Sequence, residues 1–183
     1  MTSATPESRT FASTRISESH DFLGFDCGVP ELNRWLTRSA LRADAMGTAR
    51  TFVWLQWNME VVAYFSLCPH QVRRDEVPPQ LGHGAPDAIP AILLARLALS
   101  VSLHHQKLGG ELLIDALARA VDGVRAVGGR LIVVDAISDE AGAFYKHFGF
   151  QSIPEAPHRL FRKASDVEAA LRGSELGTPR HSK

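Results

Sequence analysis

Residues 104–110 read His104-His105-Gln106-Lys107-Leu108-Gly109-Gly110 and stand just before a run with leucines at helical spacing. The first N–H groups of a helix have no partner inside it and carry partial positive charge. Such a turn can receive a phosphate or pyrophosphate, and glycine lets the anion approach closely. An ordinary strand-to-helix connection has the same local spacing. A second set of residues is basic. Arg34, Arg38 and Arg42 fall on one narrow stripe of a helix, with Trp35 at its border. A basic stripe beside an aromatic ring suits RNA phosphates and base stacking, while a solvated helix face with snorkelling arginines has the same pattern. Arg73 and Arg74, diluted by Asp75 and Glu76, and Arg96 inside an apolar run could extend the charged surface. Asp135 closes another apolar run and could contact a substrate or polarise neighbouring backbone. His104 and His105 could approach phosphates or serve as surface hydrogen-bonding residues, and His83 reads as a solvent-exposed loop residue. Cys27 and Cys68 are the only cysteines, Cys27 reads as packing or turn chemistry, and the histidines are scattered. No metal-ligand spacing results, so no metal is expected.

The elements that must position these groups follow from periodicity. A helix is expected over residues 30–45, where Leu32, Trp35, Leu36, Ala40 and Ala43 share a face and Pro30 suits a first turn. Residues 51–56 and 60–67 read as antiparallel strands joined across Trp57-Asn58-Met59. Pro69, Pro78, Pro79, Pro86 and Pro90 predict a long loop over residues 69–90 with room for a short helix. A buried strand over 91–100, the 104–110 turn, a helix over 111–127 and a second buried strand over 130–136 come next. Ser138 is a natural cap for a further helix that Gly149 can stop, and two short strands, 150–153 and 158–163, complete a mixed α/β sheet. Residues 1–10 and 172–183 are polar and read as loose ends. The expected organisation is a flexible N-terminus (1–10), one domain (11–163) and a C-terminal helix or flexible tail (164–183). At 183 residues such a domain buries roughly 70% of its unfolded surface without disulfide or metal. Twenty basic and twenty acidic side chains cancel, which excludes wholesale polyelectrolyte binding and leaves local patches. No run approaches ~18 apolar residues, and the N-terminus lacks the apolar core of a signal peptide. A cytoplasmic protein away from membranes is expected.

Leu93-Leu94-Ala95-Arg96-Leu97-Ala98-Leu99, the glycine turn running into Leu112-Leu113, the strand end Val133-Val134-Asp135-Ala136, and Ala143-Phe144-Tyr145-Lys146-His147-Phe148-Gly149-Phe150 together resemble the GNAT N-acetyltransferases. The last motif is the most specific. Upstream, Phe25-Asp26-Cys27-Gly28, Leu32, Trp35-Leu36, Arg50-Thr51-Phe52-Val53 and Val62-Ala63-Tyr64-Phe65-Ser66-Leu67 resemble the branch that serves as toxins in toxin–antitoxin modules. The resemblance covers about residues 11–163. It implies a GNAT fold, α/β (α+β): a mixed central sheet whose two central strands splay apart, flanked by helices, with acetyl-CoA in the wedge. The backbone of Leu97, Ala98 and Leu99 would bind pantetheine, and the turn through Gly109 and Gly110 the pyrophosphate. In the family that turn runs Gln/Arg-x-x-Gly-x-Gly/Ala. This chain has His104 in the first place, Lys107 where the first glycine is expected, and Gly109 retained. A residue with a Cβ resists positive φ, so the turn is reshaped or strained, or Lys107 adds charge near the phosphates.

Tyr145 matches the tyrosine that the family places near the cofactor sulfur, which implies a general acid; a phenol of pKa about 10 can protonate a departing thiolate. On spacing alone it reads as a core aromatic beside Phe144 and Phe148. No base is evident, and an α-amino group of pKa about 7.7–8, lowered further by an adjacent ester, retains a neutral fraction without one. The branch implies an acceptor of that kind, the α-amino group of aminoacyl-tRNA, whose acetylation blocks translation. Arg34, Trp35, Arg38, Arg42, Arg73, Arg74 and Arg96 would then bind tRNA. It also implies a cognate ribbon–helix–helix antitoxin and a homodimer. Two other readings stay open: a GNAT enzyme acting on a small amine or protein lysine, and a catalytically impaired module that binds an antitoxin or nucleic acid.

Overall fold

The structure, a computed structural model, describes residues 11–176. Seven strands form one sheet: β1 (Thr14–Arg15), β2 (Arg50–Leu55), β3 (Val61–Arg73), β4 (Ala88–Leu99), β5 (Leu131–Asp135), β6 (Gln151–Ile153) and β7 (Ala156–Lys163). Their order is β1-β2-β3-β4-β5-β7-β6. Only the central pair β4–β5 is parallel, as a crossover through a helix requires. The helices are α1 (Pro30–Arg38), α2 (Ala40–Ala45), α3 (Pro79–Gly82), α4 (Leu108–Val127), α5 (Asp139–His147) and α6 (Ala164–Leu176).

β5 is buried on both faces, and its alternating side chains serve two cores. Ile132 and Val134 join Leu112, Leu113, Ala116 and Leu117 of α4. Leu131 and Val133 join Val77, Leu81 and Ala85 on the opposite face. A third cluster sets Leu36 and Ala40 of α1 and α2 against Val53, Tyr64 and Ala98. α4 lies so close to the sheet that a Cβ on Gly123 would stand 2.9 Å from Ile92 Cδ1.

β3 and β4 pair along their length, from Ala63 opposite Leu99 to Arg73 opposite Ala88. β4 and β5 pair only from Ala91 with Leu131 to Leu94 with Val134. A bulge falls at that limit: Ser66 faces Arg96 and Leu67 faces Leu94, leaving Ala95 without an opposite residue. A bulge bends the strand that carries it, and here it turns β4 away from β5. The splayed mixed sheet expected of the chain is present.

Several boundaries differ from expectation. The helix over 30–45 is broken at Ser39 (φ −126°, ψ −28°) into α1 and α2. α2 carries the buried Asp44, whose Oδ2 accepts the Thr51 N–H at 3.0 Å and whose Oδ1 accepts Arg15 Nε at 2.7 Å. The loop over 69–90 is confined to residues 74–87. Pro69 and Pro90 lie within strands, Pro69 beyond the last β2–β3 pair at Arg50 and Leu67, where no ladder needs its missing N–H. The helix expected from residue 111 begins at Leu108, which places both glycines in its first turn. The expected loose segments 1–10 and 177–183 lie outside the described residues, but 172–176, expected to be loose as well, complete α6.

Candidate functional site

A cavity of about 640 Å³ opens where β4 and β5 separate. Residues 95–99 of β4 form one wall, the start of α4 forms another, and Asp135, Ile137 and Tyr145 close the β5 side. Beyond Leu94 the β5-facing edge of β4 has no strand partner, so its peptide groups, apart from the Leu99 carbonyl that His104 engages, remain available to an extended ligand. α4 begins without a side-chain cap. The N–H groups of Leu108, Gly109 and Gly110 are therefore helix-start donors without helical partners. A Cβ on Gly109 would meet nothing within 4 Å, so the helix presents bare backbone there; one on Gly110 would stand 3.0 Å from Phe148 Cζ. Gly109 leaves room for a ligand, and Gly110 leaves room for an aromatic ring.

Lys107 keeps the left-handed conformation a glycine would favour (φ +60°), and His105 does the same (φ +64°). The departure at Lys107 thus leaves the turn's backbone in place, at a steric cost of about 1–2 kcal/mol. Gln106 donates to Ser102 O at 3.1 Å, and His104 Nε2 bonds Leu99 O at 2.9 Å. That bond ties the His104 ring to the strand end rather than leaving it for a phosphate.

Tyr145 is delivered by α5, whose N-terminus is capped by Ser138 Oγ accepting from Ala141 N–H at 3.1 Å. It is 9% exposed and packs against Phe144 and Phe150 with ring centroids 5.3 and 5.9 Å away. Burial pushes its phenol up to about 12. Tyr145 lines the cavity, and no hydrogen bond from a described residue engages its hydroxyl. It is at once a core aromatic and a cavity residue.

Arg34, Arg38 and Arg42 are exposed, and none has an ion-pair partner among the described residues. The break at Ser39 puts Arg42 on a different helix from the other two. Trp35 is half-buried, stacked on Tyr64 at 5.9 Å, and Arg96 lies over its ring at 4.0 Å. Its ring is thus already engaged by protein, against the expectation of a free stacking surface. Arg96 lines the cavity, and burial lowers its pKa. Arg73 and Arg74 stand apart, at the far end of β3 from the cavity, roughly 25 Å along the strands. Arg73 pairs with Asp75 at 2.6 Å and Arg74 with Asp87 at 2.5 Å, so both serve the 74–87 loop. Sequence reading passed over Arg159 and His70, which the sheet brings together with Asp135. Their separations of 24 and 89 residues leave no local signal. Among the described residues no group of three or more potential ligands could hold a metal.

No family model matches the chain. It is 36% identical over 160 residues to a tRNA-acetylating toxin of Mycobacterium tuberculosis, spanning 87% of this chain and 96% of that protein. The solved structure of AtaT complexed with acetyl-methionyl-tRNAfMet matches with a TM-score of 0.80 and 26% identity, covering 88% of this chain and 99% of that one. A tyrosine-to-phenylalanine mutant of AtaT, bound to the C-terminus of the antitoxin AtaR and acetyl-CoA, matches with a TM-score of 0.75 and 26% identity over 90% of this chain and 99% of that one.

Proposed function

The chain belongs to the family of GNAT-fold tRNA-acetylating toxins, and on that premise we propose that it acetylates the α-amino group of an aminoacyl-tRNA and so blocks translation. The observation that carries this reading is the fork between β4 and β5, with an uncapped helix start on one side and a buried tyrosine on the other. Acetyl-CoA fits that fork and supplies an activated acetyl group. The N–H groups of Leu108, Gly109 and Gly110, with the Lys107 ammonium beside them, would hold its pyrophosphate. The open edge of β4 at Leu97, Ala98 and Leu99 would align its pantetheine arm.

Tyr145 is protonated at neutral pH, as an ordinary phenol is, and burial raises it further, to about 12. A phenol raised this far donates a hydrogen bond to developing negative charge more readily than it surrenders its proton outright. Its role is to stabilise the departing sulfur from a fixed position. The acceptor needs little help to become nucleophilic, since an α-amine flanked by an ester holds a neutral fraction at physiological pH. A lysine acceptor, at about 10.4, would need a base.

Arg34, Arg38 and Arg42, with Arg96 at the cavity rim, would steer and hold tRNA phosphates, and Trp35 would act by positioning Arg96. The partner we infer is a cognate antitoxin of the ribbon–helix–helix type, and the toxin would act as a homodimer in the cytoplasm. No helix among the described residues is long and apolar enough to cross a membrane.

Transfer of labelled acetyl from acetyl-CoA to a panel of charged tRNAs tests the reading, with uncharged tRNAs, small amines and lysine peptides in parallel. Label is expected on one or a few charged tRNAs and on none of the other acceptors. Label on amines or lysine peptides alone, or none anywhere, would sink the assignment.

A further inference from the structure

Asp135 is the first β5 residue past the last β4–β5 pair, Leu94 with Val134, so it stands at the crotch of the fork and lines the cavity. Its neighbour in register on β7 is Arg159, whose Nη1 reaches the two Asp135 carboxylate oxygens at 3.2 and 3.3 Å. The same guanidinium donates from Nη2 to Nε2 of His70 on β3. Side chains alternate along a strand, so Asp135 shares a face with Val133, Arg159 with Phe161, and His70 with Ala91, its partner in register. Val133, Phe161 and Ala91 pack together on the face opposite α4. His70 stands opposite Ala91, which pairs with Leu131, so the Arg159 side chain runs on this face from Asp135 at the fork back toward β3 at the paired part of the ladder. α1 lies on this same face, packed on Tyr64 and Ala98. The proposed tRNA-binding side and the contacts among His70, Arg159 and Asp135 thus share one face, while α4 approaches the fork from the other.

We propose that Asp135 is the carboxylate that receives the acceptor's α-amino group at the fork, and that Arg159 and His70 are positioning residues that hold it there. The assignment rests on the acyl-transfer reading above and names what that site does with the amine. The Asp135 side chain is 53% exposed and Arg159 only 32%, so without Arg159 the carboxylate would sample several rotamers. A carboxylate held by a guanidinium is fixed in place and keeps lone pairs free to accept hydrogen bonds from an amine, which suits a nucleophile that arrives partly neutral. His70 completes the clamp only as the neutral imidazole, since its Nε2 accepts from Arg159. Burial and the Arg159 charge both depress its pKa and keep it neutral.

The test compares wild type, Asp135→Asn, His70→Leu and His70→Gln in steady-state acetylation of the charged tRNA labelled best by wild type, with uncharged tRNA as a competitive inhibitor. Asp135→Asn is expected to raise KM for charged tRNA about tenfold or more, the scale of a lost charge-assisted hydrogen bond. The inhibition constant of uncharged tRNA, which carries no amine, should move less than about twofold on the same scale. Thermal stabilisation by acetyl-CoA should persist in every variant. His70→Leu should raise KM in the same direction, and His70→Gln, which keeps an acceptor for Arg159, should restore most of the loss. If KM and the inhibition constant rise together, Asp135 serves general tRNA binding and the proposal fails. If neither moves, the array is a cross-strand ion pair and nothing more. Wild type that labels no charged tRNA would instead sink the functional reading itself. Should Asp135→Asn not melt cooperatively, the two His70 variants decide by the same readouts.

Discussion

Lys107 is a lysine held at φ +60° immediately ahead of α4. Glycine populates that region freely, at the expense of roughly 0.5–1 kcal/mol of unfolded-chain entropy. Relief of the Cβ clash is worth about 1–2 kcal/mol, so Lys107→Gly is expected to be net stabilising by ~0.5–1 kcal/mol, or roughly 1–4 °C in Tm. Acetyl-CoA should stabilise this variant less, because the ammonium near the helix start is gone. Differential scanning calorimetry with and without acetyl-CoA reads both effects; a drop in Tm without ligand would show that the left-handed turn is not strained. Tyr145 calls for a different measurement. Tyr145→Phe keeps the packing against Phe144 and Phe150 and removes only a hydroxyl that no described residue engages. The fold should therefore survive, with kcat falling about 10²-fold or more and the KM for acetyl-CoA nearly unchanged. Turnover equal to wild type would return Tyr145 to a purely structural role.

At the scale of elements, two irregularities shape the site. The bulge at Ala95 ends the β4–β5 ladder and opens the cavity, and the break at Ser39 separates α1 from α2. Arg34 and Arg38 share α1 and are both exposed, so they present one surface to a polyanion. Each phosphate contact contributes close to one unit to the slope of log K against log salt. Arg34→Gln and Arg38→Gln are each expected to flatten that slope for tRNA by about one unit, and the double variant by about two. Arg73→Gln, paired within its own loop, should leave the slope alone. Filter binding across a salt series measures this, and an unchanged slope in the double variant would remove α1 from the tRNA surface.

For the whole molecule, stability should depend on pH through two histidines before any carboxylate matters. His20 is buried, with Nδ1 accepting the Ser17 N–H at 3.2 Å, and burial lowers its pKa. His70 is lowered by burial and by Arg159. A histidine depressed in the folded state binds its proton more tightly when unfolded, so the stability it confers is complete above about pH 6.5 and is lost as the pH falls through the folded value. Asp26, Asp139 and Glu168 are depressed as well, by hydrogen bonds from Gly28 and Asn33, from His158, and from Arg125 and Arg172 respectively. Their share is lost only below about pH 4. Urea unfolding should therefore show lower stability at about pH 5.5 than at about 7.5, and His70→Gln should flatten part of that fall. Equal stability at the two pH values would contradict the burial of both rings.

The sequence by itself determined the alternation of strands and helices, the glycine pair at the turn into the long helix and the Ser138 cap of α5. Each depends on residues within a few positions of one another, and that proximity is what periodicity and capping patterns record. Tyr145 was legible as a cavity residue only through the family resemblance, since its spacing equally describes a core aromatic, and in the fold it is both. Tertiary structure alone decided the rest. Asp44 anchors α2 to Arg15 of β1 and to the Thr51 N–H of β2; the register of β3 against β4 leaves Ala95 unopposed; and strand order brings His70, Arg159 and Asp135 together on one face from three strands. Strand order and register arise from pairing between distant segments, and a shift of one residue would turn every one of those side chains to the other face.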